Sequence, residues 1–504
     1  MIMKSVKINY NGKIYSAEEG VSVGAFLRDF GFTGMVCGGR GKCGKCRVIC
    51  RGGLSAVTAG ERALLTEEEL SSGVRLACRT IITGDCEISA AGPVKDEIRT
   101  DGYMPDITLS PGFEKYGIAA DIGTTTVALR LYDKNGVVLS HQSAVNPQRA
   151  YGGDVVSRME AALKGDGDKL ALSVRRLLNG MIRRAADESG ISPDEIDGAV
   201  MTGNTVMLSF LSGVDTEPLT HSPFKANSLF GVTAQSESIG LDALSAGTPV
   251  YLPPCISAYV GADITCAVIS SGIYNDGGNA LLTDIGTNGE TVLKCGDKLY
   301  ACSTAAGPAF EGAGISMGMS GAVSAIDRVR ALPDGTLEAH VIGDAAPSGI
   351  CGSGIVDAVA SLLDAGALDE TGYLEDDPAV ILPPVVITQA DIRAVQLAKS
   401  AIHAGIKTLL SHACLTCSDI GIFYIAGGFG SYLDVKNAGR IGLIPNGLTD
   451  RVKVLGNAAL SGASALLLCS PLRQKAAGLA SRIQTVELAA NPVFAEEYMN
   501  NMTF

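Results

Sequence analysis

Alternating apolar and polar positions open the chain: VKINY and KIYSA change character residue by residue on either side of Asn11-Gly12. A period of two predicts strands, and Asn-Gly supplies the positive φ of a type I′ turn, so this start reads as a β-hairpin. The period then changes. Val23, Phe26, Leu27 and Phe30 recur at helical spacing behind Ser22, a candidate cap. A strand over CRVIC, a helix over ERALLTEEEL and a strand over CEISA follow. Between 91 and 116 the chain loses periodicity and collects prolines, glycines and charges, the pattern of a linker.

After that break, YGIAADIGTTTVALRLYDKNGVVLS predicts an apolar strand, a glycine-containing loop and a hairpin turning at Asn135-Gly136. The theme returns in NALLTDIGTNGETVLKCGDKLYACS. Two strand-DIGT-strand units, each opening a three-strand meander, indicate duplicated halves facing each other. IGIFYIAGGFGSYLD adds a buried strand that ends in Gly427-Gly428-Phe429-Gly430. The predicted division is an N-terminal α+β domain of β-grasp type over residues 1–92, a linker over 93–116, and two α/β lobes over 117–279 and 280–504.

At 504 residues and 46% hydrophobic composition, the chain can bury several cores. Its longest apolar runs, such as ALLLC at 465 to 469, fall far short of the roughly 18 to 20 residues that cross a bilayer. The start MIMKSVKINYNG lacks the apolar centre of a signal peptide. A cytoplasmic protein without a membrane partner is expected. A net charge of −13 argues against nucleic acid as a partner. No GxxxxGK[ST] run occurs, and the five histidines form no HExxH or Ser-His-Asp arrangement.

Fourteen cysteines in a long chain without an export signal suggest metal ligands and buried thiols, not a disulfide framework. Cys37, Cys43, Cys46 and Cys78 are separated by five, two and thirty-one residues. Three thiolates on one glycine-rich loop can wrap a small cluster that a distant fourth closes. Structural zinc and unliganded thiols are the other readings, although zinc sites usually present two separated C-x2-C knuckles. The spacing resembles [2Fe–2S] ferredoxins of the adrenodoxin type, and LACRT around Cys78 resembles their last-ligand context. Cys50 and Cys86 fall outside the pattern and are assigned to the core. Arg40, Lys42, Lys45, Arg47 and Arg51 surround this loop without an intervening carboxylate, which reads as a solvated loop or as a face for an acidic redox partner.

In each DIGT loop, glycine lets the backbone approach a phosphate and threonine hydroxyls donate to it. The carboxylates of Asp121 and Asp284 can hold hydrated Mg²⁺. Gly123, Thr124 and Thr125 in the first loop and Gly286, Thr287 and Asn288 in the second are the candidate ATP contacts. Gly427, Gly428 and Gly430 leave room for a flat adenine ring. In this order, the motifs resemble the two phosphate motifs and the adenosine motif of the actin, Hsp70 and sugar-kinase superfamily, over roughly residues 117 to 470. That resemblance implies a duplicated ribonuclease-H-like, two-lobed ATPase. It makes Asp263 in AYVGADITCAVISSG the candidate for orienting the attacking water, with helix capping as its alternative. It also makes Gly203 and Asn204, after the strand in IDGAVM, an interdomain connection near the nucleotide. Gly349-Ile-Cys-Gly352-Ser353-Gly354 opens a helix that either approaches the nucleoside or permits close packing. Lys407 reads as surface charge.

Joining an electron carrier to an ATP clamp makes sense where an electron must move to a lower potential. A one-electron gap of roughly 120 mV is about 2.8 kcal/mol, within reach of a nucleotide-linked conformational change. Nearly the whole chain resembles the reductive activators of corrinoid-dependent methyltransferases. That resemblance implies a [2Fe–2S] cluster, ATP and Mg²⁺ as cofactors. It also implies a corrinoid protein as the partner reduced from Co(II) to Co(I), and a low-potential electron donor upstream. Cys302-Ser303-Thr304 to Gly312 is similar to a family-typical segment, which makes Ser303 a cobalt-facing candidate beside its alternative as a turn hydroxyl. A homodimer is left open, because the chain is shorter than the larger family members. The alternatives are an activator of 2-hydroxyacyl-CoA dehydratases, disfavoured by the four-cysteine set, and a redox sensor whose cluster gates ATP binding.

Overall fold

Asn11 and Gly12 take φ of 49° and 83°, and the hairpin they turn pairs Ser5–Tyr10 with Lys13–Glu18, Tyr10 facing Lys13. The computed structural model describes residues 5–28, 30, 32, 34–35, 39–41, 44–90, 103–428 and 432–504. The chain divides into two compact units: Met1–Lys95 with Val145–Val174, and Asp96–Ala144 with Arg175–Phe504.

The first unit is built on a five-stranded sheet in the order Lys13–Glu18, Ser5–Tyr10, Ile82–Ala90, Arg47–Leu54, Val74–Leu76. Ser22 caps the helix Val23–Arg28, its Oγ accepting from the Ala25 N–H at 3.0 Å. The single helix expected over ERALLTEEEL is two, Ala59–Arg62 and Glu67–Ser72. Thr58 and Thr66 each form a capping box with the glutamate three residues on, so the second threonine starts a new helix instead of continuing the first. Cys50 and Cys86 are buried core residues. The sequence did not foretell that residues 145–174 join this unit. Ala150 shares its core, and the Arg28 guanidinium lies 5.2 Å from the Tyr151 ring centre.

The second unit holds two six-stranded sheets of matching design. In the first, Val138–Val145, Thr126–Asp133 and Tyr116–Ile122 form the meander, continued by Ile196–Gly203, Pro249–Leu252 and Val232–Gln235. In the second, Lys298–Thr304, Gly289–Cys295 and Asn279–Ile285 form the meander, continued by Ile420–Ala426 and Val452–Gly456, with Ile483–Thr485 on the outer edge. In both, the DIGT strand runs antiparallel to its hairpin partner and parallel to the next strand inward. Covering of both faces accounts for the near-continuous burial of these strands.

The helices Ala262–Ser271 and Ala458–Leu468, one from each repeat, pack so closely that a Cβ on Gly462 would lie 1.9 Å from the Cys266 carbonyl oxygen. Only glycine admits this approach. The later part of the expected linker is anchored, not free. The N–H groups of Tyr103, Ser110 and Gly112 donate to the carbonyls of Leu455, Leu468 and Leu467 at 2.8, 2.9 and 3.1 Å. Residues 93–102 of that linker lie outside the described residues. No helix among the described residues is long and apolar enough to cross a membrane.

Candidate functional site

Two places gather the chemistry, one in each unit. In the first, Cys46 ends the cysteine loop and Cys78 follows the strand Val74–Leu76, and their sulfurs stand 3.3 Å apart. Two thiolates on one tetrahedral metal at about 2.3 Å would be separated by about 3.8 Å, so a small adjustment lets this pair share an iron. Cys37, Cys43 and Lys42 lie outside the described residues. Gly39, Gly41 and Gly44 adopt φ of 78°, 67° and 65°, in the left-handed region that glycine enters without a Cβ clash. Among the described residues, the Cys46 and Cys78 pair fits a cluster held by cysteine thiolates.

The loop is braced by charge in a way the sequence concealed. Arg79 donates through Nε and Nη2 to the Gly41 carbonyl at 3.2 and 3.0 Å. Arg47 donates to the Gly44 and Leu64 carbonyls and pairs with Glu69 at 2.7 Å. Within the cationic stretch Arg47 is thus paired with Glu69 from outside it, whereas Arg40 and Arg51 are exposed. Beneath it, the buried Glu61 accepts from Arg75 Nε at 2.9 Å, from the Leu76 N–H at 3.2 Å and from Thr80 Oγ1 at 3.1 Å. Burial opposes its charge, but the hydrogen bonds from Arg75, Thr58 and Leu76 prevail and hold it at about 2. This ion pair fixes the strand that delivers Cys78.

The second place is a cavity of about 390 Å³ at the carboxyl ends of the parallel strands. Both repeats line it. Asp121, Gly123, Thr124 and Thr125 come from the first loop and Asp284, Gly286, Thr287 and Asn288 from the second, with Asn204, Asp263, Gly427 and Gly428 between them. Strand register explains the convergence: Asp121 pairs with Thr202 and Asp284 with Ala426, so in each repeat the neighbouring strand reaches a glycine, Gly203 or Gly427, one position beyond the aspartate's partner. A Cβ on Gly427, whose φ is 105°, would sit 2.5 Å from the Ile285 carbonyl and 3.0 Å from Asp284 Oδ1. Gly203 lies in its strand outside the cavity wall, and Gly430 lies outside the described residues.

Two asparagines do double duty. Asn204 caps the helix Thr205–Ser212 and donates to Thr124 Oγ1 at 3.1 Å. Asn457 caps the helix Ala458–Leu468 and donates to Asp121 Oδ2 at 3.0 Å. Only the first was expected from the sequence, yet both follow a glycine at a strand end, Gly203-Asn204 and Gly456-Asn457, and that pair was the available signal. Glu290, Glu311 and Arg328 also line the cavity without having been expected there.

Withdrawal from water raises the carboxyls of Asp121, Asp263 and Asp284 to about 6, 7 and 8, with mutual repulsion adding to the rise in the last two. Glu290 is raised for the same reasons. Arg328 is the one lysine or arginine among the described residues of the wall. A site so acidic suits a ligand that brings its own cation. Asp263 stands inside the helix Ala262–Ser271, which Gly261 precedes, and accepts from the Ile264 N–H at 2.9 Å, so it is not the helix cap. Ser303 is half-buried and donates to Glu290 Oε1 at 3.2 Å, whereas Thr304 is buried and donates to the Gly289 carbonyl. Cys351, Gly352 and Ser353 at the start of the helix Gly352–Asp364 line the cavity; Lys407 does not.

Comparison with known proteins agrees with this division of chemistry. Residues 6–83 match the family profile of the 2Fe-2S iron-sulfur cluster binding domain. Residues 116–276 match the RACo middle region, and residues 278–504 match the C-terminal domain of RACo, the ASKHA domain. The corrinoid activation enzyme RamQ of Eubacterium limosum is 36% identical over 424 residues, covering 77% of this chain and 70% of the relative. The [Co(II) methylated amine-specific corrinoid protein] reductase of Methanosarcina barkeri is 28% identical over 390 residues, 70% of each chain. A solved reductive activator for corrinoid, iron-sulfur protein superposes with a TM-score of 0.73 at 28% identity, covering 99% of this chain and 98% of that one. The chain belongs to the family of reductive activators of corrinoid proteins.

Proposed function

We propose that this protein uses ATP to drive one electron from a cysteine-bound [2Fe–2S] cluster to the cobalt of a corrinoid protein, returning Co(II) to Co(I) for methyl transfer. The carrying observation is that one chain holds a sulfur pair 3.3 Å apart in one unit and, in the other, two DIGT loops facing a single acidic cavity. The names of the relatives, corrinoid activation and Co(II) corrinoid-protein reduction, support the same reading.

In this reading Cys37, Cys43, Cys46 and Cys78 hold the cluster, which supplies one-electron chemistry when bound. Asp121 and Asp284, one from each repeat, would hold Mg²⁺ carried by the nucleotide. Mg²⁺ in nucleotide sites usually takes one or two carboxylates, with phosphates and water completing its shell, so no larger protein cage is required. Thr124, Thr125, Thr287 and Asn288 donate to phosphate, Asn204 orients Thr124, and the glycine run from Gly427 admits the base. Asp263 orients the attacking water. Ser303, the more accessible of the two neighbouring hydroxyls, faces the partner's cobalt once it is released from Glu290. Residues 1–92 act as the electron-carrying domain, 93–116 as its tether, and 117–279 and 280–504 as the lobes. The protein works in the cytoplasm and draws electrons from a low-potential donor.

The test is ATPase turnover with and without a Co(II) corrinoid protein. Partner-stimulated hydrolysis is expected, and Asp284→Asn should lower it by about 100-fold or more, as losing preorganised charge at a reacting phosphate does. Unchanged turnover in both Asp121→Asn and Asp284→Asn would make the repeat a structural feature only.

A further inference from the structure

Glu311 ends the short turn Ala309–Glu311, and its Oε2 accepts from Thr125 Oγ1 at 2.9 Å and from Thr287 Oγ1. The two hydroxyls approach each other to 3.4 Å. Thr125 belongs to the first DIGT loop and Thr287 to the second, so a single carboxylate oxygen ties the loops of both repeats. The other oxygen lies toward Gly286, where an added Cβ would come within 3.9 Å of it.

These hydroxyls are the donors that a terminal phosphate would use in the proposed nucleotide cleft. A carboxylate and a phosphate are both anionic acceptors, and a hydroxyl has one proton to donate. The pair cannot serve both groups at this spacing, and the two negative charges repel at such short range.

We propose that the terminal phosphate of the nucleotide competes with Glu311 for Thr125 and Thr287, so that phosphate capture turns Glu311 out of the cleft and releases the segment that carries it. Gly307, Gly312 and Gly314 take φ of 82°, 74° and 84°, and Phe310 and Ile315 hold the segment against the core, so what the lost tie frees is the Glu311 side chain and the backbone beside it. The segment's near end is tied to the second loop through the Gly307 N–H, which donates to the Thr287 carbonyl at 2.9 Å. Ser303 lies just upstream. Glu311 is thus a positioning residue through which phosphate occupancy reaches residues 305–318.

This inference rests on the nucleotide reading of the cleft, and the experiment separates the two. Binding of ATP, ADP, AMP and adenosine to the full-length chain is measured by calorimetry with Mg²⁺ present, for the wild type and Glu311→Gln. Glutamine keeps an acceptor but removes the charge. ATP should bind about tenfold tighter to the variant while adenosine binding stays unchanged, because only the phosphate meets the lost charge. Should Glu311→Gln fold poorly, Glu311→Asp, whose shorter reach weakens the tie, should shift ATP in the same direction by less. In the wild type, hydrogen exchange over 305–318 should rise with ATP relative to AMP. Weaker ATP binding in the variants, or an equal shift for all four ligands, overturns the competition. A wild type that binds none of the four overturns the nucleotide reading beneath it.

Discussion

Asn457 donates its side-chain amide to Asp121 across 3.0 Å, joining a helix start in the second repeat to the DIGT carboxylate of the first. Withdrawal from water raises Asp121 to about 6, and this hydrogen bond works against the rise. Replacing Asn457 with Leu removes the donor, so the Asp121 carboxyl climbs further and is ionised less at neutral pH. The acid limb of the ATPase pH profile should move to higher pH, with activity at pH 7 down about three- to tenfold and regained at more alkaline pH. An acid limb that stays in place would deny Asp121 its role at the metal.

Three carboxyls raised together make stability depend on pH. Asp121, Asp263 and Asp284 lie at about 6, 7 and 8 in the fold, above the roughly 4 of an unfolded aspartate. A group raised in this way favours the folded state below its unfolded value and loses that contribution as pH rises through its folded value. Thermal stability without divalent cation should therefore fall by several degrees between pH 5 and pH 8.5 on account of these groups. Mg²⁺, which prefers the ionised carboxyls, should restore much of the loss at the alkaline end. Asp284→Asn should flatten the slope. A melting temperature indifferent to both pH and Mg²⁺ would show that the three do not share one field.

Gly462 carries a purely steric burden. A methyl group there meets the Cys266 carbonyl oxygen at 1.9 Å, so Gly462→Ala must push apart the helices that carry Asp263 and Asn457. A loss of about 3 kcal/mol in urea unfolding is expected, together with weaker nucleotide binding. Full stability in this variant would contradict so close an approach of the two helices.

Much of this was legible because each half of the chain punctuates its strands with glycine. Asn11-Gly12 announced a turn whose positive φ few residues adopt, and the repeated DIGT segments announced two matching strand-loop-strand units, which the fold shows as two sheets of the same design. What stayed hidden depended on distance along the chain. Glu311 reaches Thr125 across 186 positions, and Arg75 reaches Glu61 only after the sheet has formed. Periodicity reports which face is buried, not which charged side chains meet there. Thr66 misled for a local reason: it sits inside an apparently continuous helical pattern, and its capping box competes with the helix interior. The docking of residues 103–112 escaped because backbone hydrogen bonds from an irregular stretch leave no periodic trace.

Cys78 should be indispensable to the cluster and Cys50 should not. Cys78→Ser is expected to remove or strongly alter the visible absorption, with nucleotide binding in the other unit kept. Cys50→Ala should retain two irons and two sulfides per chain, since that thiol is packed in the sheet core and raised by burial to about 12. Zinc, or four irons per chain, in the metal analysis would contradict the assignment.

The most direct measurement follows the cobalt itself. The full-length protein is mixed anaerobically with a Co(II) corrinoid protein of a methyltransferase system and a low-potential reductant, and the spectrum is recorded with and without Mg²⁺ and ATP. Co(I) should accumulate only when ATP is present, and Cys78→Ser and Asp284→Asn should each abolish its appearance. Co(I) forming equally fast without ATP, or never forming although the cluster is reduced and ATP is hydrolysed, would contradict coupled reduction and favour a cluster-gated sensor.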